Sequence, residues 1–76
     1  MKAYILIDIR VGAVAEAVGH LRRIEHVVEA HMTFGPFDAI AVVDAEDINH
    51  LGRILANEIQ PVPGVTETLT CMTVDL

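Results

Sequence analysis

The sequence predicts an α+β domain in which a four-stranded antiparallel sheet carries two helices on one face. Along four segments, β-branched and other apolar residues alternate as they do in strands, and along two further segments they recur at helical spacing. The six segments follow the order strand, helix, strand, strand, helix, strand, which is the ferredoxin-like βαββαβ arrangement. The length of 76 residues suits one such domain, so residues 1–76 are treated as a single unit.

The first strand and the first helix are predicted at residues 3–9 and 13–23. Both faces of the strand are largely apolar, which favours a position in the middle of the sheet. The face predicted to lie away from the helices consists of Tyr4, Leu6 and Asp8. The helix has an apolar stripe that begins at Val14, and Gly19 within it is interpreted as a point of close packing.

Residues 24–33 and 37–43 are predicted to form a β-hairpin around the Gly-Pro turn. The first of these strands alternates, with Val28, Ala30 and Met32 assigned to one face, and its charges favour an edge position. The second strand is a nearly continuous apolar run, which favours the centre of the sheet.

The second helix is predicted to begin after Asp44 as the N-cap, with Asp47 three residues later. Its apolar stripe runs to Ile59, and it must end near Gln60 because prolines follow. Residues 65–74 then alternate as the last strand. Right-handed crossovers place the first and third strands in the centre of the sheet.

The composition excludes several classes of function. The formal net charge is −6, with 11 acidic residues against five Lys or Arg, so we expect no direct contact with nucleic acid and no membrane association. The single cysteine, Cys71, excludes an internal disulfide and a multi-cysteine metal site, and it fits a cytoplasmic location. The apolar run at the N-terminus is too short for a membrane span and lacks the features of a signal peptide.

Two further expectations concern partners and metals. Because 53% of the residues are hydrophobic and one sheet face has no helix to cover it, we expect at least a face-to-face homodimer. The four histidines are expected at the surface and not in a metal site, since their spacing places no two of them together. These four histidines are His20, His26, His31 and His50. We expect no metal and no cofactor.

Asp38 stands out because it interrupts an apolar strand directly after the turn at residues 33–38. One interpretation is that its carboxylate accepts backbone N–H groups and only caps the turn. The other is that it accepts the ammonium group of a ligand, with Gly35 allowing close approach of the ligand to the backbone and with Phe34 and Phe37 as an apolar wall. Such a pocket would suit a small amphoteric molecule such as an amino acid.

A resemblance to a known family bears on this choice. The residues that carry it are Gly35, Pro36, Phe37 and Asp38 in the turn, and Pro63, Gly64, Val65, Thr68 and Thr70 around the last strand. In this element order, essentially the whole chain resembles the effector-binding domain of the Lrp/AsnC regulators, also called the RAM domain. We therefore expect the domain to stand alone, without the helix-turn-helix DNA-binding half of full-length members.

The resemblance implies a ligand site and an assembly. It implies homodimers that associate into octamers or decamers, with amino-acid effectors bound in clefts between dimers. It also implies that full-length Lrp/AsnC regulators are partners in mixed assemblies. Combined with the apolar wall, it predicts these ligand-binding residues: Met32, Phe34, Gly35, Phe37, Asp38, Thr70, Cys71, Met72 and Thr73.

The leading hypothesis is a non-enzymatic module that binds an amino acid and regulates transcription or metabolism through its oligomeric state. One alternative is a small enzyme of the dimeric α+β barrel type, which predicts an enclosed cavity lined by residues such as His26 or His31. A second alternative is a purely structural oligomerisation module.

Overall fold

A computed structural model describes residues 1–76, which contain four strands and two helices. The strands are β1 (Lys2–Ile9), β2 (Val27–Met32), β3 (Ala39–Asp44) and β4 (Val65–Met72), and the helices are α1 (Val14–Leu21) and α2 (Ile48–Ile54). All neighbouring strands are antiparallel, in the order β2-β3-β1-β4. The ferredoxin-like fold and the central positions of β1 and β3 are therefore confirmed. Neither helix combines the length and the apolar character needed to cross a membrane.

The core lies between one face of the sheet and the two helices. Alternate residues of β1, such as Ile5 and Ile7, are fully buried against α1 and α2, which contribute Leu21 and Ile54. Every one of the 19 buried residues is hydrophobic, so the core contains no polar side chain that would have to give up its hydrogen bonds to water. The opposite residues of β1 are only half-buried, as expected for a face without helices.

The alternation predicted for β2 is wrong at one point. The register between β2 and β3 shifts between Val27 and Glu29, because Val28 is an extra residue in the ladder. As a result Val27 and Ala30 both face the core, while Val28 is 59% exposed. The predicted edge position of β2 is confirmed, and the strand is shorter than the predicted range.

The start of α2 also differs from the prediction. The N-cap is Asp47, whose carboxylate accepts the backbone N–H of His50 at 2.7 Å. Asp44 instead ends β3, and its carboxylate lies 3.6 Å from the amino group of Met1. Sequence alone offered two aspartates at capping distance, and the length of β3 decides between them.

The second helix ends with one wider turn. Residues Leu55–Ile59 form a π-helical segment, and the N–H of Gln60 donates to the carbonyl of Leu55 at 2.8 Å. Ile59 is fully buried at the end of this segment. The helix stops before Pro61, as predicted.

Gly19 was interpreted as a close packing contact, and this is wrong. A Cβ atom built at this position meets no atom within 4 Å. Gly19→Ala is therefore expected to raise the free energy of unfolding by up to about 1 kcal/mol, since alanine has the higher helix propensity and nothing opposes its methyl group. Urea titration checks this, and a lower stability for the variant would contradict it.

Candidate functional site

Two hydrogen bonds, one from the backbone and one from the side chain of Thr33, connect the two ends of the turn at residues 33–38. The N–H of Thr33 donates to the carbonyl of Asp38 at 3.0 Å, and the Thr33 hydroxyl donates to the carbonyl of Phe37 at 2.8 Å. β3 begins at Ala39, so Phe37 and Asp38 lie in the turn and not in the strand, contrary to the prediction. The turn closes the hairpin between β2 and β3, as expected.

The Asp38 carboxylate connects this turn to the central strand β1. Its Oδ2 atom accepts the N–H of Ile9 at 2.7 Å, and the N–H of Asp38 donates to the carbonyl of Ile7 at 3.0 Å. The carboxylate thus accepts a backbone N–H, although the donor belongs to β1 and not to the turn. Its other oxygen, Oδ1, makes no hydrogen bond within the chain and the side chain is half-buried, so one acceptor can serve a ligand.

Gly35 has a φ of +151°, a backbone conformation that residues with a Cβ atom rarely adopt. No atom lies within 4 Å of the place where a Cβ would stand. The position therefore requires glycine for its backbone and leaves open space beside it. Pro36 follows Gly35, and its ring fixes its own φ angle within the turn.

A shallow apolar pocket of about 240 Å³ lies between the turn and the uncovered face of the sheet. It is lined by Leu6, Thr33, Phe34, Gly35, Pro36, Phe37, Ala39 and Ile40. The Phe34 side chain is fully exposed at the edge of this pocket, and Met32 on the adjacent strand is 54% exposed. Such a pocket can hold an apolar side chain. Asp38 and Met32, two of the predicted ligand-binding residues, are not among the residues that line it.

The sequence prediction included the rim of this pocket and missed its floor. Leu6 and Ile40 come from the middle of β1 and β3, where they are paired across the two strands. The sequence analysis placed Leu6 on the face of the first strand without helices, but it assigned no face to Ile40, which is the partner of Leu6 across the two strands.

The predicted residues of the last strand lie far from the turn within one chain. Cys71 pairs with Tyr4 and Met72 with Ala3, whereas the turn adjoins Ile9 at the other end of β1. From Ile9, the separation along β1 is roughly 13 Å to Ile5, the partner of Thr70, and roughly 20 Å to Ala3, the partner of Met72, at about 3.3 Å per residue. One subunit therefore does not bring the two predicted groups together.

The side chains of these last-strand residues also point to different faces. Because successive residues of a strand alternate, Thr70 and Met72 share the helix-covered face with Ile5 and Ala3. Cys71 lies on the uncovered face, and Thr73 follows on the same side, with its N–H donating to the Lys2 carbonyl at 3.1 Å.

One charge on the uncovered face interacts with an aromatic ring. The ammonium group of Lys2 lies 5.3 Å from the centre of the Tyr4 ring. The neighbouring Tyr4 side chain, first through a hydrogen bond, raises the pKa of Lys2.

The histidines do not all lie at the surface as expected. His50 is only 13% exposed, and its ring contacts that of His26 edge to face, with the ring centres 4.5 Å apart. The N–H of Glu46 donates to His50 Nδ1 at 2.9 Å. The chain contains no group of three or more His, Cys, Asp or Glu side chains arranged to hold a metal ion.

Neither pocket of the chain contains His26 or His31. The second pocket, of about 300 Å³, lies beside the start of β4 and is lined by Gln60, Val65, Thr66, Glu67 and Thr68. The enzyme alternative predicts a cavity lined by residues such as His26 or His31, and neither pocket fits that description.

The element order and the sheet topology define a small α+β domain of the ferredoxin-like class. Residues 2–75 match the family described as the Lrp/AsnC ligand binding domain, so the chain belongs to the Lrp/AsnC family. The resemblance inferred from the sequence is thereby confirmed.

The comparisons also identify individual relatives. A proline dehydrogenase transcriptional activator from Rhizobium radiobacter is 37% identical over 65 residues, which is 86% of this chain and 42% of that protein. The chain spans 38–46% of the length of the curated relatives that it matches, and all three are named as transcriptional regulators or activators.

Two solved structures illustrate the likeness of fold. FFRP-DM1 superposes with a TM-score of 0.90 at 25% identity, covering 96% of this chain and 97% of that one. A transcriptional regulator from Neisseria meningitidis, solved in complex with L-Met, superposes with a TM-score of 0.87 at 17% identity, covering 97% of this chain and 49% of that one.

Proposed function

We propose that this domain binds an amino acid at the turn between β2 and β3 and regulates transcription or metabolism through its assembly with other subunits. The observation that supports the proposal is the half-buried Asp38 carboxylate, which keeps one oxygen free and whose chain neighbours Phe37 and Ala39 line an apolar pocket. A carboxylate can hold an ammonium group through a charge-assisted hydrogen bond, and the pocket can take the ligand's side chain.

The ligand class is supported by relatives. One structure of this fold is a complex with L-Met, and a sequence relative is named for proline dehydrogenase. Both names refer to amino acids or to an enzyme that acts on one. In this proposal Met32, Phe34, Gly35, Phe37 and Asp38 contribute from the turn side of one subunit.

A second subunit completes the proposed site. Along β1, the last-strand residues Thr70, Cys71, Met72 and Thr73 lie roughly 13 Å or more from the turn of the same chain, at about 3.3 Å per residue, and in this proposal another copy brings its own last strand to the ligand. The uncovered sheet face offers the surface for a homodimer, and dimers would associate further into an octamer or decamer.

The proposed module acts on transcription without touching DNA through these residues. A net charge of −6 opposes binding to phosphates, and full-length Lrp/AsnC regulators are the partners through which a mixed assembly would reach DNA. This supports an indirect regulatory role.

The test is a thermal-shift screen of the twenty amino acids. A ligand at 100 times its Kd is expected to stabilise the domain by about 2.7 kcal/mol, which for this size raises Tm by roughly 10–20 °C. If no amino acid raises Tm, the proposed function is wrong.

Asp38→Asn is the informative variant because the amide keeps an oxygen for the N–H of Ile9 and removes the negative charge. It is expected to weaken amino-acid binding roughly 10- to 100-fold, as for the loss of a hydrogen bond to a charged group. The matched control Glu58→Gln removes one exposed carboxylate outside the proposed site and should bind as the wild type does. Equal binding by wild type and Asp38→Asn would show that the carboxylate does not hold the ligand.

A further inference from the structure

Two histidine side chains from distant parts of the chain meet beside the start of α2, outside the proposed ligand site. The rings of His26 and His50 touch edge to face, with their centres 4.5 Å apart. Both side chains are at most 33% exposed. Histidine is the side chain that ordinarily changes charge between about pH 5 and pH 8, so a close pair of histidines is a candidate for sensing protons.

The hydrogen bond at His50 requires the neutral form of its ring. Its Nδ1 atom accepts the backbone N–H of Glu46 at 2.9 Å, and a ring nitrogen that accepts a hydrogen bond carries no proton. The proton of the neutral ring is therefore on Nε2. A second proton can bind only at Nδ1, where it would replace the acceptor by a donor that faces the N–H of Glu46.

Three features of the surroundings oppose a second proton on His50. The side chain is only 13% exposed, so its cationic form would lose most of its contact with water. It is the third residue of α2, where the unpaired N–H groups of a helix N-terminus disfavour positive charge. The ring of His26, once protonated, would be a second cation in direct contact.

The His26 ring is the one placed to take the first proton. Its Nε2 atom lies 3.2 Å from Oε2 of Glu25, and no hydrogen bond of this ring requires the neutral form. Oε1 of Glu46 lies farther from His50 Nδ1, at 3.7 Å, and this carboxylate is 83% exposed, so water screens its attraction.

The remaining charged groups around the pair are already engaged. On α2, the carboxylate of Asp47 accepts the N–H of His50 at 2.7 Å as the helix cap. At the end of β3, the N–H of Asp44 donates to the carbonyl of His26, and the Asp44 carboxylate lies 3.6 Å from the amino group of Met1. The balance at His50 is therefore set by its bond to Glu46 and by the charge on His26.

We propose that His26 and His50 form a proton-sensitive latch between the segment before β2 and the first turn of α2. At neutral pH the latch is closed, with a neutral His50 bonded to the N–H of Glu46. On acidification His26 takes up the first proton and His50 the second. The second proton breaks the bond to Glu46 and separates the two cationic rings, which frees the first turn of α2 from the start of β2.

Acid opens this latch because the closed form holds fewer protons than the open form or the unfolded chain. The stability that the latch contributes is complete at neutral pH and is lost as the pH falls. Below the range in which a free histidine takes up its proton, each pH unit is expected to raise the ratio of open to closed latch by up to about tenfold.

The experiment follows the histidine rings and the Glu46 amide by NMR between about pH 8 and pH 5. In the wild type, His26 and His50 are expected to titrate in two separate steps, with the Glu46 amide resonance moving in the second. His50→Asn is the informative variant, because its amide oxygen can accept the N–H of Glu46 and takes up no proton. This variant should lack the second step, and urea titration should show that acid destabilises it less than the wild type.

Two further variants separate the latch from a general effect of losing a histidine. His31→Asn makes the same exchange at an exposed histidine, paired with Glu29, and should titrate and unfold with the pH dependence of the wild type. His26→Phe keeps an aromatic ring but removes its charge, so the His50 step should move to higher pH. A Glu46 amide that titrates alike in wild type and His50→Asn, or a His50 step that His26→Phe leaves in place, would overturn the inference.

Discussion

Gly64→Ala is expected to lower the free energy of unfolding by about 2–4 kcal/mol, through backbone strain and a steric clash together. Gly64 has a φ of +95°, which disfavours any residue with a Cβ atom. A Cβ there would lie 2.8 Å from the Cβ of Ala13, closer than such atoms come. The carbonyl of Gly64 accepts the N–H of Arg10 at 2.7 Å, so the turn cannot move away without losing that bond.

The matched control is Gly35→Ala, which shares the positive φ but meets no atom within 4 Å. Its cost is therefore strain alone, and it should be smaller than that of Gly64→Ala when both are measured by urea denaturation. The double variant Gly64→Ala, Ala13→Gly should lose less free energy of unfolding than the two single variants lose in sum, because it removes the clash between the two Cβ atoms. Equal losses for the two glycine variants would show that the contact with Ala13 relaxes freely.

Tyr4→Glu is expected to disrupt the proposed sheet-face interface and to abolish the proposed rise in Tm with amino acids. Tyr4 lies on the uncovered face of a central strand, between Val42 and Cys71. Burying a carboxylate there in two copies costs desolvation free energy even with the ammonium group of Lys2 beside it, and this is expected to weaken association on the order of tenfold or more. Light scattering should report a smaller particle than the wild type, and loss of binding follows because the proposed site needs a second subunit.

Val11→Glu controls for the added charge, since Val11 is 94% exposed in the loop after β1 and is not on the sheet face. This variant should assemble and bind as the wild type does. If Tyr4→Glu dissociates but still binds an amino acid with unchanged affinity, the ligand site is complete in one subunit and the role given to the last strand is wrong.

The fold could be predicted because its strands and helices leave patterns within a few neighbouring residues. The prediction was wrong where contacts between distant residues determine the local structure. The apolar faces of β1 and β3 gave the centre of the sheet correctly because burial on both sides leaves a signature in the strand itself. The bulge at Val28 has no such signature, since it depends on the partner strand. Asp47 became the N-cap of α2 because β3 extends through Asp44.

The candidate site was predictable in part for the same reason. Asp38 was singled out by its position after a turn, but the N–H that it accepts belongs to Ile9, 29 residues earlier in the chain. Leu6 and Ile40 form the pocket floor only because β1 and β3 are neighbours. The contact between His26 and His50 likewise joins the start of β2 to α2 and leaves no pattern in the sequence.

The bond between Asp38 and Ile9 has a consequence for how a ligand could be sensed. It connects the turn to a central strand of the sheet, and Pro36 beside it fixes one backbone angle of the turn. The proposed site is therefore preorganised, so a ligand spends little of its binding free energy on ordering the turn. Occupancy would then be transmitted by rigid-body movement of one subunit against another, and not by the folding of a loop.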